Sequence, residues 1–165
     1  MFRVTAFENT TAISPAATAS KTVNDLFGPT YTDVDTGDAF RGVTITSAGQ
    51  GTDATNLGKY QYQKFGTTTW VDLPSGLTDT TSVYLAKEDG IRFVPSSTNS
   101  SAFAKPDLTA RLVDNSATTA PTTGDVIDVA GVKHGGSTPY SGDTATLRVG
   151  PNTVASISGT STGTA

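Results

Sequence analysis

The chain is expected to fold as an all-β sandwich, and three observations lead there. Thr, Ser, Gly and Ala dominate the 165 residues, and β-branched Thr favours strands. Short runs of alternating apolar and polar residues recur along the chain, separated by Gly-, Pro-, Asn- and Asp-containing segments. No stretch carries a convincing helical period. Apolar residues make up 35%, below the ~45–50% of an average domain. At this length a single core still buries roughly 68–70% of the unfolded surface.

In chain order, Phe2-Arg3-Val4-Thr5-Ala6-Phe7 reads as a strand, followed by a Thr/Ala/Pro-rich lead segment to residue 20. Thr22 to Phe27 forms an apolar approach to a turn holding Asp33, Asp35, Gly37 and Asp38. Gly42-Val43-Thr44-Ile45-Thr46 alternates with period two. Residues 47–57 form a polar loop. Lys59 to Gln63 and Thr69 to Leu73 flank a short turn at Phe65 to Thr68, a hairpin pattern. Ser82 to Ala86 and Ile91 to Val94 are strands joined through Asp89-Gly90, a turn dipeptide. Leu108 to Val113 is another strand, and Val126, Ile127 and Val129 mark a short one. Residues 131–142 are loop-like. Thr144 to Val149 forms the last strand. The expected organisation is a lead segment, 1–20, belonging to the same domain, a sandwich over 21–157, and a flexible Gly/Ser/Thr tail over 158–165. Loops too long for two-residue hairpins point to Greek-key crossovers.

Charge excludes several functions. The net charge of −4 disfavours nucleic acid and anionic membrane surfaces, which select basic patches. No apolar run approaches the ~20 residues of a membrane span, and the N-terminus shows no signal-peptide pattern. With no Cys and one His, His134, the usual zinc sites have no ligands. A Ser-His-Asp triad would have to use His134, which lies in a Gly-rich loop without a Gly-x-Ser-x-Gly context. Glu8 and Glu88 are the only glutamates and lie far apart in sequence; a glycosidase acid–base pair converging in a cleft would still have several aspartates to draw on, and is the disfavoured reading. The chain is therefore read as non-enzymatic. Tyr60, Tyr62 and Trp70 offer either a sugar-stacking platform or core and cross-strand packing; packing is the preferred reading. Thr shows no fixed repeat of the kind an ice-binding array needs, and two Asn-x-Ser/Thr matches, at Asn9 and Asn99, are frequent by chance.

Three carboxylates within six residues are costly unless solvated or bound to a cation. Hard oxygen donors suit Ca²⁺. An EF-hand is excluded by spacing: with Asp33 first, Gly37 takes the fifth position and Thr44 the twelfth, where a ligand and a bidentate Glu belong. A calcium site here needs ligands from distant loops.

The ordered series Val23-x-x-Leu26-Phe27-x-x-x-Tyr31-x-Asp33-x-Asp35-x-x-Asp38-x-x-x-Gly42-Val43-x-Ile45 resembles the opening of a domain in very long, type-I-secreted, repeats-in-toxin adhesins of bacterial biofilms. The resemblance continues through Gly58-x-Tyr60-x-Tyr62, Trp70, Leu85, Ile91 to Pro95, Leu108 to Asp114 and Gly135 to Ser141. Tyr60 stands where that family usually has Trp, and Lys64-Phe65-Gly66 where Asp-Gly-Gly is usual. The resemblance implies an Ig-like or cadherin-like Greek-key β-sandwich with calcium near its ends. In the cadherin pattern Asp33 and Asp35 resemble the Asp-x-Asp pair, Asp114 resembles the later Asp that closes the same site, and Glu8-Asn9 resembles the first-strand Glu-Asn. It further implies a monomeric, secreted, cell-surface domain whose partners are neighbouring domains of the same chain and a glycan or peptide on a target surface. Asp114 decides between the two readings of the turn: a carboxylate far from the cluster leaves only a solvated turn.

Overall fold

The computed structural model describes residues 2–8, 20–32, 37–48, 58–95, 107–117 and 119–150. Among these residues ten strands form two sheets. They are β1 (Phe2–Glu8), β2 (Lys21–Thr22), β3 (Phe40–Ser47), β4 (Gly58–Gln63), β5 (Val71–Asp72), β6 (Ser82–Ala86), β7 (Gly90–Pro95), β8 (Leu108–Asp114), β9 (Val126–Ile127) and β10 (Tyr140–Gly150). One sheet has six strands in the order β1-β10-β8-β3-β6-β9, the other four in the order β2-β7-β4-β5. The predicted all-β sandwich is the architecture observed. Most successive strands lie in opposite sheets, so the chain crosses the sandwich repeatedly. The β4–β5 pair is the predicted hairpin, with Gln61 opposite Asp72 and Tyr62 opposite Val71.

Period-two alternation builds the core. Val43 and Ile45, Val83 and Leu85, Leu108, Ala110 and Leu112, and Ala145 and Leu147 come from the six-stranded sheet. They meet Tyr60, Ile91 and Phe93 of the other sheet in one apolar cluster. Tyr60 is fully buried, and its ring packs on Phe93 at 5.2 Å. On the other face of β3, Gly42 approaches β6 so closely that a Cβ would sit 2.2 Å from the Leu85 carbonyl oxygen and 3.0 Å from the Tyr84 hydroxyl.

A helix, absent from the sequence expectation, occupies Val23–Phe27 (α1). Its reason is local and tertiary together. Thr22 Oγ1 accepts from Asp25 N at 3.0 Å and Asp25 Oδ2 accepts from Thr22 N at 3.2 Å, a reciprocal capping box. Val23, Leu26 and Phe27, at i, i+3 and i+4, are completely buried. The Val23 and Asn24 amides donate to the Asp89 and Lys87 carbonyls, so two otherwise orphaned amides of the helix start are satisfied by the link between β6 and β7. Two 3₁₀ turns follow at Gly28–Thr30 and Gly131–Lys133.

The β6–β7 link is an arch crossing between sheets. Its buried Asp89 carboxylate accepts from the amides of Ala86 (2.7 Å) and Phe65 (2.9 Å) and from the Thr123 hydroxyl (2.5 Å). One side chain thus ties the arch to the hairpin turn and to the segment before β9. Among the described residues no helix is long and apolar enough to cross a membrane. The expected tail, 158–165, and most of the loop 47–57 lie outside the described residues, and so does the loop 96–106.

Candidate functional site

One end of the six-stranded sheet opens into a cleft of about 340 Å³. It lies where β3 starts, β8 ends and β10 starts: Phe40 is opposite Asp114, and Tyr140 opposite Val113. Both Asp38 and Asp114 line it. Asp114 Oδ1 accepts from the Ser116 amide (2.7 Å) and hydroxyl (2.5 Å). The neighbouring Asn115 Oδ1 accepts from the Ala39 amide at 2.9 Å and ties the residue before β3 to the end of β8.

A bulge in β10 makes one wall. Tyr140 pairs with Val113 and Thr144 with Arg111, so three residues of β10 stand against one of β8. The buried Arg111 holds this excess chain. Its Nη1 donates to the carbonyls of Ser141 (3.1 Å) and Gly142 (2.6 Å), and its Nε and Nη2 donate to the Asp79 carboxylate at 3.3 and 3.0 Å. The Leu112 amide donates to Ser141 Oγ (2.9 Å), whose hydroxyl donates to the Asp143 carbonyl (2.7 Å).

Gly135 and Gly136 line the cleft beside this bulge, with φ of +76° and +60°. That conformation suits glycine, and a Cβ at Gly135 would meet Gly142 Cα at 3.3 Å. The Gly135 amide donates to the Tyr140 carbonyl at 2.7 Å. Tyr31 and Tyr140, both half-buried, line the same cleft. The Tyr31 ring packs against Phe40 at 5.5 Å. Burial holds the Tyr140 phenol above its ordinary pKa.

Of the four predicted metal ligands, Asp38 and Asp114 share this cleft, while Asp33 and Asp35 lie outside the described residues. Thr30, Tyr31 and Thr32, which precede that pair in the chain, and Asp38, which follows it, line the cleft. The acidic and hydroxyl donors are oxygens, which fits a hard cation and not a thiophilic one. Among the described residues, however, no group of three or more His, Cys, Asp or Glu is positioned to hold a metal. Asp38 and Asp114 alone do not furnish the 6–8 oxygens of a calcium shell.

The other candidates lie elsewhere. Tyr60 is in the core and Tyr62 packs against it. Trp70 is half-buried beneath the Arg92 guanidinium, 4.2 Å from the ring centroid, and Arg92 Nε and Nη2 donate to Gln61 Oε1. These three rings fill packing positions and form no shared platform. His134 follows the second 3₁₀ turn, half-buried. Glu88 is exposed beside Lys87.

Sequence reasoning missed Arg111 and Asp143. The available signal was an arginine at a strand position whose neighbours Ala110 and Leu112 face the core: such a residue on a buried sheet face needs partners of its own. No protein-family model, no curated protein and no solved structure matches this chain.

Proposed function

We propose that the chain is a non-enzymatic, calcium-stabilised sandwich domain of a long bacterial surface adhesin, spacing or supporting ligand-binding modules in cell adhesion and biofilm formation. The observation that carries this reading is the shared cleft of Asp38 and Asp114 at one end of the sandwich. Asp38 is distant from Asp114 in sequence, as a composite site between loops requires, and Thr32 and Asp38, which stand on either side of Asp33 and Asp35 in the chain, both line the cleft. Those four carboxylates, with carbonyl and hydroxyl oxygens nearby, are the proposed cation ligands.

The directions of β1 and β10 support a place in a serial array. β1 runs parallel to β10, and both run away from the cleft end. Parallel β1 and β10 carry the chain in the same direction along the strand axis, an arrangement that suits beads on a string. Neighbouring domains of the same chain are the proposed partners, and the cell surface the proposed location. The stabilising effect is linkage: a folded chain that binds the ion, with an unfolded chain that does not, gains about 2.7 kcal/mol at a hundredfold excess over Kd.

Thermal melting against calcium concentration tests the proposal. The midpoint should rise with millimolar Ca²⁺, fall back with chelator, and respond much less in Asp114→Ala. A midpoint indifferent to calcium and chelator would defeat it.

A further inference from the structure

The cleft is larger than a cation needs. Its volume of about 340 Å³ is roughly ten times the ~30 Å³ share of one water and falls within the ~300–1,000 Å³ of small-molecule sites. We propose that the cleft is a binding site for a neutral saccharide.

The lining chemistry selects that class. Among the described residues no Lys, Arg or His lines the cleft, so none of them neutralises a phosphate, sulfate or carboxylate ligand. Four of the hydroxyl protons at the cleft are already committed within the protein. Thr30 donates to the Phe27 carbonyl, Thr138 to the Gly135 and Tyr140 carbonyls, Ser141 to the Asp143 carbonyl and Ser116 to Asp114. Those oxygens retain acceptor lone pairs. Together with the carboxylates they make an acceptor-rich surface, and its ligand must bring several donors.

A saccharide brings donors spread around a ring, whereas an ammonium brings one point charge. The acceptors are spread as well: Asp38, Asp114 and Asp143 all line the cleft, but among the described residues no three such groups converge where one ion could be held. Tyr31 and Tyr140 add ring surface for the apolar faces of a sugar. The walls are set in advance. Arg111 fixes the Ser141–Gly142 carbonyls, and Phe40 fixes the Tyr31 ring. Preorganised walls lower the ordering cost of binding. The site does not rest on bound calcium.

The test is NMR titration of the whole chain with glucose, galactose, mannose, fucose, N-acetylglucosamine and their disaccharides, in calcium and in chelator, with propylammonium as the cationic probe. At least one saccharide should perturb resonances of Tyr31, Gly136 and Tyr140. Its affinity should fall at least about tenfold, a 1.4 kcal/mol change, in Asp114→Ala and in Gly136→Asn. The second variant guards against misfolding, because Asn tolerates the left-handed conformation and a Cβ at Gly136 meets nothing within 4 Å. Phe65→Ser, at an exposed position away from the cleft, should bind as the parent does. Perturbation by no saccharide, equal binding in both cleft variants, or tighter binding of propylammonium than of every sugar would overturn the proposal. A calcium-dependent melting shift without saccharide binding overturns it and leaves the calcium reading standing; saccharide binding without a calcium effect does the reverse.

Discussion

Replacing Asp89 by Ala should be among the most damaging single substitutions in this domain. The carboxylate is 1% exposed and accepts three hydrogen bonds from three separate segments: Ala86 at the end of β6, Phe65 in the hairpin turn and Thr123 before β9. A hydrogen bond to a charged acceptor contributes about 1.5–3 kcal/mol, so three give a gross ~4.5–9 kcal/mol. The net loss should be about 3–5 kcal/mol, because water reaches part of the vacated site and adjacent bonds do not add independently. That is a large share of the ~5–15 kcal/mol of a typical domain. At about 2–4 °C per kcal/mol for a chain of this size, the melting midpoint should fall by roughly 6–20 °C. Asp89→Asn keeps the volume but turns one acceptor into a donor facing a donor, and should cost about 1.5–3 kcal/mol. Urea denaturation of the three proteins, with equal m-values, reads these differences. A loss below about 1 kcal/mol for the Ala variant, or Asn as damaging as Ala, would refute the assignment of stability to the three accepted bonds.

Two further outcomes follow from packing and burial. Gly42→Ala would force a Cβ against the Leu85 carbonyl, which is backbone and cannot rotate away; the cost should be at the upper end of the ~1–3 kcal/mol typical of overpacking, read by the same denaturation series. The Tyr84 phenol is pushed up from its ordinary 10.0 to about 12, chiefly by burial. The protonated form is therefore favoured in the fold, so its contribution is fully present below pH 10 and is lost as pH rises from 10 toward 12. Tyr84→Phe should flatten that part of the alkaline stability profile; an unchanged slope would contradict it.

The strands were legible wherever alternation ran for five residues or more. Ser82 to Ala86 and Leu108 to Val113 show it plainly, because one face of each meets the core. The hairpin at Phe65 was legible from its turn. Helix α1 was not, since five residues carry too little periodicity, and only the Thr22–Asp25 capping pair announces it. Asp89 showed itself as a turn residue, yet its three donors come from positions 65, 86 and 123, a meeting that only the fold creates. The β10 bulge was hidden for the same reason: Ser141, Gly142 and Asp143 look like loop, and their place is set by Arg111 across the sheet. For the cleft, spacing excluded an EF-hand, and the family resemblance paired Asp114 with the Asp-rich turn. Tyr31, Asp143 and the Gly135–Gly136 wall joined it only through strand register.

The central claim is that a cation binds among Asp33, Asp35, Asp38 and Asp114, and terbium luminescence tests it most directly. Tb³⁺ substitutes for Ca²⁺ at oxygen-rich sites and is sensitised by tyrosine close by; Tyr31 and Tyr140 line the cleft with Asp38 and Asp114. The expected result is saturable Tb³⁺ emission on tyrosine excitation, displaced by Ca²⁺ and abolished in the Asp38→Ala, Asp114→Ala double variant whose far-ultraviolet circular dichroism is unchanged. Emission that is absent, or that persists in the folded double variant, would contradict it.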